Sequence, residues 1–288
     1  MPKTNTNLIC LILLLLSVQQ ITLAQSNDEI TVFAASSLTN VFTELSDTFE
    51  MIYDVDVILN FAGSSTLATQ LNEGAIADVF ASANLEQMQA VIEESLIEPT
   101  QVTIFAENEL ALIVPNDNPA NIESIADLAN NNLFLVLANP SVPIRVYTDQ
   151  LLETLSSDYD ETFVHDVLQN LVSEESNVRQ IVARVAIGEV DAGIVYRTDI
   201  TPDVAEAIQI VPLPIGASPR AQYPIAPLID APNSDLALKF IDFVSSDEGQ
   251  AILQTWGFCS PDESIPEPML TPEMTPEPEL TPNAETIC

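Results

Sequence analysis

The chain has 288 residues, 47% of them hydrophobic, enough to build one large domain or two modest lobes. Lys and Arg number 7 against 43 Asp and Glu, a formal net charge of −36. Such a surface excludes nucleic acid and anionic membrane as partners, and most of its carboxylates are read as serving solubility or tolerance of salt. At the start, Lys3 is the only early charge, Leu8 to Val18 is an apolar block, and Thr22-Leu23-Ala24 is a cleavage site. The block is too short to span a membrane stably, so residues 1–24 are predicted to be a signal peptide.

Ile30 to Ala34 is a short apolar, β-rich run that predicts a buried strand. Ser36 and Ser37 follow at its end, and Leu38, Val41, Phe42, Leu45 and Phe49 then recur at helical spacing. The unit repeats: Val55 to Phe61 is a strand, Gly63-Ser64-Ser65-Thr66 a turn, and Leu67, Leu71 and Ala75 a helix face. Two hydroxyl-rich turns therefore sit at the same end of adjacent parallel strands. Ser and Thr there commonly serve as helix caps. Two in succession also make an anion site, because helix N-termini offer free N–H groups and a positive dipole end. In open α/β sheets, ligands sit at the carboxyl ends of strands.

Further along, Asp78 to Ser82 and Glu109 to Pro115 read as strands, with a helix over 85–92 between them. Asn116-Asp-Asn-Pro119 breaks the pattern, and a first crossing between lobes is placed there. The second lobe is expected to hold a helix over 122–128, a strand over 133–138, and helices from 146 to 155 and from 163 to 171. A helix through Ile181, Val182, Val185 and Ile187 ends at Gly188, and strands follow over 191–196 and 208–213. Tyr223 to Ile229 returns the chain; its prolines suit an edge or hinge strand better than a central one. Two helices, over 236–244 and 248–256, close the globular part.

This order predicts an α/β fold of two lobes, each a mainly parallel sheet flanked by helices, joined by crossing hinge strands. Lobe 1 is expected over 28–115 and 222–258, and lobe 2 over 116–221. Residues 259–288, with many Pro, Glu and Thr, read as a disordered tail. Cys10 leaves with the signal peptide. Cys259 and Cys288 are left either to pair, to stay as free thiols, or to bond to another molecule.

Signs of catalysis are missing. His165 is the only histidine, expected on a helix surface; there is no G-x-S-x-G elbow, no phosphate-loop motif and no Cys/His spacing for zinc. The expectation is a binding protein, not an enzyme, with no cofactor.

Three segments carry a resemblance. Ile30-Thr-Val-Phe-Ala-Ala-Ser-Ser-Leu-Thr-Asn40, Phe61-Ala-Gly-Ser-Ser-Thr-Leu-Ala68 and Gly74-Ala-Ile-Ala-Asp-Val-Phe-Ala-Ser-Ala83 resemble signatures of the periplasmic molybdate-binding proteins of ABC transporters. The resemblance runs from about Ile30 to Phe258. It implies an extracytoplasmic, monomeric solute-binding protein, exported across the inner membrane, that delivers molybdate or tungstate to a membrane permease and its ATPase. It also implies that the oxyanion is held by neutral donors alone. Matched residue by residue, these are the hydroxyls of Ser37 and Ser64, backbone N–H groups at Ile144 and Val178, and the phenol of Tyr196; none ligates a metal cation directly. Arg145, beside Ile144, places a charge where the family pattern has a small residue. Sulfate, or another oxyanion, is the alternative ligand. An extracellular interaction module acting through its acidic tail is the alternative from another class.

Overall fold

The computed structural model describes residues 28–159 and 161–261. The signal peptide, Cys10, Cys288 and nearly all of the Pro-rich tail lie outside the described residues.

The first sheet holds β1 (Glu29–Ala35), β2 (Asp56–Ala62), β3 (Val79–Ala81), β4 (Thr103–Asn108) and β10 (Ala221–Pro227), in the order β2-β1-β3-β10-β4. The second holds β5 (Leu110–Pro115), β6 (Leu135–Ala138), β7 (Leu171–Glu175), β8 (Ala192–Tyr196) and β9 (Ile208–Val211), in the order β7-β6-β8-β5-β9. The two sheets and their helices form a two-lobed α/β fold. The ladders are mixed, yet four of the five strands in each sheet point the same way. Only β10 in the first sheet and β5 in the second run against their neighbours, and each is the first strand after a crossing between lobes.

Around the first sheet lie α1 (Thr39–Tyr53), α2 (Ser64–Asn72) and α3 (Leu85–Glu93), and around the second α4 (Pro143–Ser156), α5 (Phe163–Gln169) and α6 (Val178–Ala186). The return segment adds α7 (Ser234–Ser245) and α8 (Asp247–Thr255) to the first lobe. The apolar spacing read in the sequence is the buried face: Val41, Phe42, Leu45 and Phe49 of α1 are covered, and Asp54 ends the helix in the left-handed region at φ 55°. Phe42 meets Phe105 and Phe240 edge-on at 5.6 and 6.0 Å, clamping α1 between β4 and α7.

Several expectations differ from the structure. The strand over 109–115 does not belong to the first lobe: β5 pairs with β8 and β9 in the second sheet. The Asn116–Pro119 break turns the chain within the second lobe. The crossing itself is at Glu109, where β4 runs almost directly into β5, so no turn residue marks it. β10 is not an edge strand. It lies between β3 and β4, and a shift in register at Tyr223/Pro224 absorbs the missing N–H of Pro224. The helix expected over 163–171 ends at Gln169, and the strands β7 and β4 have no counterpart in the sequence reading. The segment at 122–128 forms a 3-10 turn over Ile125–Ala129 instead of an α-helix, and Ile187 is exposed. Cys259 is buried and disulfide-bonded.

Candidate functional site

A small cavity lies between the lobes, where the residues following the strands of both sheets converge. Ala35, Ser36, Ser37, Gly63, Ser64 and Ala83 line it from the first lobe. Val142, Pro143, Ile144, Val178 and Tyr196 line it from the second. All five residues singled out from the sequence, Ser37, Ser64, Ile144, Val178 and Tyr196, are thus brought to one cavity from five separate segments. No lining residue carries a charged side chain.

Local sequence explains each placement. Ser36 to Leu38 form a 3-10 turn that leads straight into α1. Ser64 opens α2, Pro143 and Ile144 open α4, and Val178 opens α6. Pro143 fits the first helical turn, where its missing N–H leaves nothing unpaired. Asn177 caps α6 by accepting from the Gln180 N–H at 3.2 Å. Three helix starts therefore meet at the cavity, each with N–H groups that its own helix cannot use.

The hydroxyls are oriented by their neighbours. Ser37 Oγ accepts a hydrogen bond from the Tyr223 hydroxyl at 3.1 Å. Ser64 Oγ accepts one from the Ala83 N–H at 3.0 Å. A serine oxygen that already accepts from the protein keeps its own proton for another partner. Both serines are buried, so that proton is available to the cavity. Tyr196 is 1% exposed, and its hydroxyl has no hydrogen-bond partner among the described residues. Burial, and then the neighbouring phenols of Tyr223 and Tyr147 and the Asp199 carboxylate, hold the Tyr196 phenol well above its ordinary pKa, so it remains a donor.

Asp199 is fully buried, and burial pushes its carboxyl up to about 7 against the opposing pull of Arg179, whose Nε lies 3.1 Å away. Arg145 does not face the cavity. It pairs with Asp149 at 2.7 Å and Glu174 at 2.8 Å and donates to the Ala138 carbonyl at 3.1 Å, so the charge expected beside the site is neutralised within the second lobe. His165 is exposed, as its helix-surface position predicted, and among the described residues it bonds to Gln169.

Sequence reasoning missed the residues behind the donors. Tyr223 is 186 residues from Ser37, and Asn108, which donates to both Thr198 and Tyr223, lies at the crossing itself. Nothing local in the sequence ties these residues together. Gly63 did carry a signal, as the glycine between strand and turn, but its role appears only across the cleft. A Cβ there would lie 2.4 Å from the Ser176 carbonyl oxygen of the other lobe.

The cavity is small, with room for little more than one species the size of a water or a compact ion.

Comparison with known proteins agrees with this geometry. Residues 30–259 match the family model described as bacterial extracellular solute-binding protein. The chain is similar to the molybdate-binding protein ModA of Mycobacterium tuberculosis, 38% identical over 240 residues, which is 82% of this chain and 87% of that protein. Among solved structures, it is similar in fold to the periplasmic molybdate-binding protein of Azotobacter vinelandii, with a TM-score of 0.67, 19% identity, and coverage of 81% of this chain and 100% of that one. It is likewise similar in fold to the sulfate-binding protein SubI of Mycobacterium tuberculosis, with a TM-score of 0.71, 15% identity, and coverage of 82% and 88%. The chain belongs to the bacterial extracellular solute-binding proteins.

Proposed function

We propose that this protein captures molybdate, or the equivalent tungstate, between its lobes and delivers it to the permease and ATPase of an ABC transporter. The observation that carries the reading is the donor set: a small interlobe cavity lined by two serine hydroxyls with free protons, an unpartnered buried phenol and three helix starts, with no charged side chain. Ser37, Ser64, the N–H groups of Ile144 and Val178, and Tyr196 are the proposed contacts.

The chemistry of the ligand follows from what such a cavity lacks. Molybdate and tungstate are fully deprotonated dianions at neutral pH and only accept hydrogen bonds. Phosphate keeps a proton at that pH and needs an acceptor. No carboxylate lines the cavity, so the proton of phosphate could be accepted only by a hydroxyl oxygen, a weaker acceptor than a carboxylate and one whose group is then lost or misaligned as a donor to the ion. Bound phosphate would thus forgo a charge-assisted hydrogen bond, a penalty of about 1–3 kcal/mol. Charge is met by dipoles and hydrogen bonds rather than by a cation. Closure then replaces the ion's water with fixed donors from both lobes.

Sulfate is the second reading. It has the same charge and no proton, and the likeness in fold to a sulfate-binding protein keeps it in view. Its smaller size is the property that separates it from molybdate. Identity to a molybdate-binding relative favours molybdate.

A calorimetric panel of molybdate, tungstate, sulfate and phosphate on the mature protein tests the proposal. Molybdate and tungstate are expected to bind with micromolar dissociation constants or tighter, about −8 kcal/mol or better, and sulfate and phosphate far more weakly. Equal binding of all four, or binding of none, overturns it. No helix among the described residues is long and apolar enough to cross a membrane. We place the mature protein outside the cytoplasmic membrane, delivered there by the signal peptide.

A further inference from the structure

Arg179 is the second residue of α6, next to the Val178 start that lines the cavity, but its own side chain does not line it. On its own lobe its Nε lies 3.1 Å from Oδ1 of the fully buried Asp199, which follows β8, a close approach without a hydrogen bond because the one Nε proton goes across the cleft. From that anchor the guanidinium crosses the cleft. Nε donates to the Ser36 carbonyl at 3.3 Å and Nη2 to Asn40 Oδ1 at 2.8 Å. Ser36 belongs to the turn that carries Ser37, and Asn40 to the first turn of α1. One side chain therefore seats the start of α6 on the Ser36–Ser37 turn.

We propose that Arg179 is a closure latch, a positioning residue that locks the second-lobe donors onto the first-lobe donors without touching the ligand. The inference rests on the oxyanion-binding reading and deepens it. The contact with Asp199 lies within one lobe, so opening leaves it in place. The bonds to Ser36 and Asn40 join the lobes, so opening breaks both. A planar fork with several fixed donors suits this task. Lysine offers the same charge from a single point and does not hold an anchor and two acceptors together. A latch that acts only in the closed state slows escape of the ligand and leaves its arrival alone.

The test follows molybdate binding by stopped flow in the wild type, Arg179→Gln, Arg179→Lys and Asn40→Ala. The distance between spin labels placed on exposed Gln89 and Gln150, one on each lobe, is measured in parallel with and without molybdate. Arg179→Gln and Arg179→Lys are both expected to raise the dissociation rate about tenfold or more, the effect of losing a charge-assisted hydrogen bond. Their association rates should stay within about twofold of the wild type. Their label distances with molybdate should shift toward the open form. Asn40→Ala leaves the Asp199 pair intact, so it tests the latch even if the Arg179 variants fold poorly; it should show the same pattern at a smaller size. Wild-type kinetics in Arg179→Lys would mean that only the charge matters and would overturn the latch, as would an unchanged dissociation rate in Asn40→Ala. If the wild type binds no oxyanion, the functional proposal fails by itself. The latch is then judged on the label distances without ligand, where Arg179→Gln must lose closed population, and identical distributions overturn it.

Discussion

Gly63→Ala separates closing from folding. Gly63 has φ −59° and ψ 139°, a conformation open to any residue, so alanine is not strained there. What the new methyl group meets is the other lobe. It would lie 2.4 Å from the Ser176 carbonyl oxygen, where ordinary contact begins at 3.4 Å. The lobes must therefore part by about 1 Å at this edge of the cleft, and backbone on both sides leaves little room to yield. A hydrogen bond of about 2.9 Å stretched by that much passes the limit at which it counts as one. The second-lobe donors at Ile144, Val178 and Tyr196 are the ones displaced. Loss of one bond to a charged ligand, at about 1.5–3 kcal/mol, weakens binding by about ten- to a few-hundredfold, and loss of a second bond multiplies that again. Calorimetry with molybdate reads the affinity, and thermal unfolding without ligand reads the fold. The unfolding midpoint is expected to stay where it is. An alanine variant that binds molybdate like the wild type would refute the reasoning, because the cleft would then be shown not to close on Ser176.

Tyr196→Phe is expected to lose about 1.5–3 kcal/mol of molybdate affinity while unliganded stability holds or rises, since the hydroxyl removed is buried without a partner. Ser64→Ala should instead lose both affinity and stability, because it orphans the buried Ala83 N–H; calorimetry beside thermal unfolding distinguishes the two. Asp199, raised from 3.8 to about 7 by burial, is protonated in the folded chain across a range where the unfolded chain is ionised. Its contribution to stability is therefore full below pH 4 and is lost as pH rises through 7, with Arg179, Tyr196 and Tyr223 as the groups facing it. Denaturant unfolding from pH 4 to 8 should show that decline in the wild type and less of it in Asp199→Asn; equal slopes would contradict the assignment. With a net charge of −36 and no cation lining the cavity, the association rate of molybdate should rise as salt screens repulsion beyond a Debye length of about 8–10 Å. A rate that falls with salt would show that the local arginines govern the field.

The parts legible in the sequence are those fixed by local pattern. Ile30–Ala34 and Val55–Phe61 announce buried strands, and the serines after them mark helix starts, because strand, turn and first helical turn are contiguous. Ser37 and Ser64 were legible for that reason. Ile144, Val178 and Tyr196 were reached only through resemblance, since a backbone N–H leaves no mark in the residue type. The capping reading of Ser64 does not hold: Gly63 is the N-cap of α2 and no side chain caps it, while Ser64 Oγ accepts from Ala83 in another segment and its proton is left for the cavity. The crossing at Glu109 was misplaced because the chain passes straight from one sheet to the next, while the stronger turn signal at Asn116–Pro119 lies inside one lobe. The contacts that close the cleft, Gly63 to Ser176 and Arg179 to Ser36 and Asn40, join residues more than 100 positions apart. Only the fold brings them together.

The central claim is that one oxyanion sits among neutral donors from both lobes. Crystals grown with molybdate or tungstate test it most directly, since the metal's anomalous signal locates the ion without prior assumptions. The account predicts a single strong peak in the cavity, its oxygens within hydrogen-bond reach of the Ser37, Ser64 and Tyr196 hydroxyls and the Ile144 and Val178 N–H groups. A peak held by Arg145, Arg184 or Arg197 outside the cavity, or none between the lobes, would contradict it.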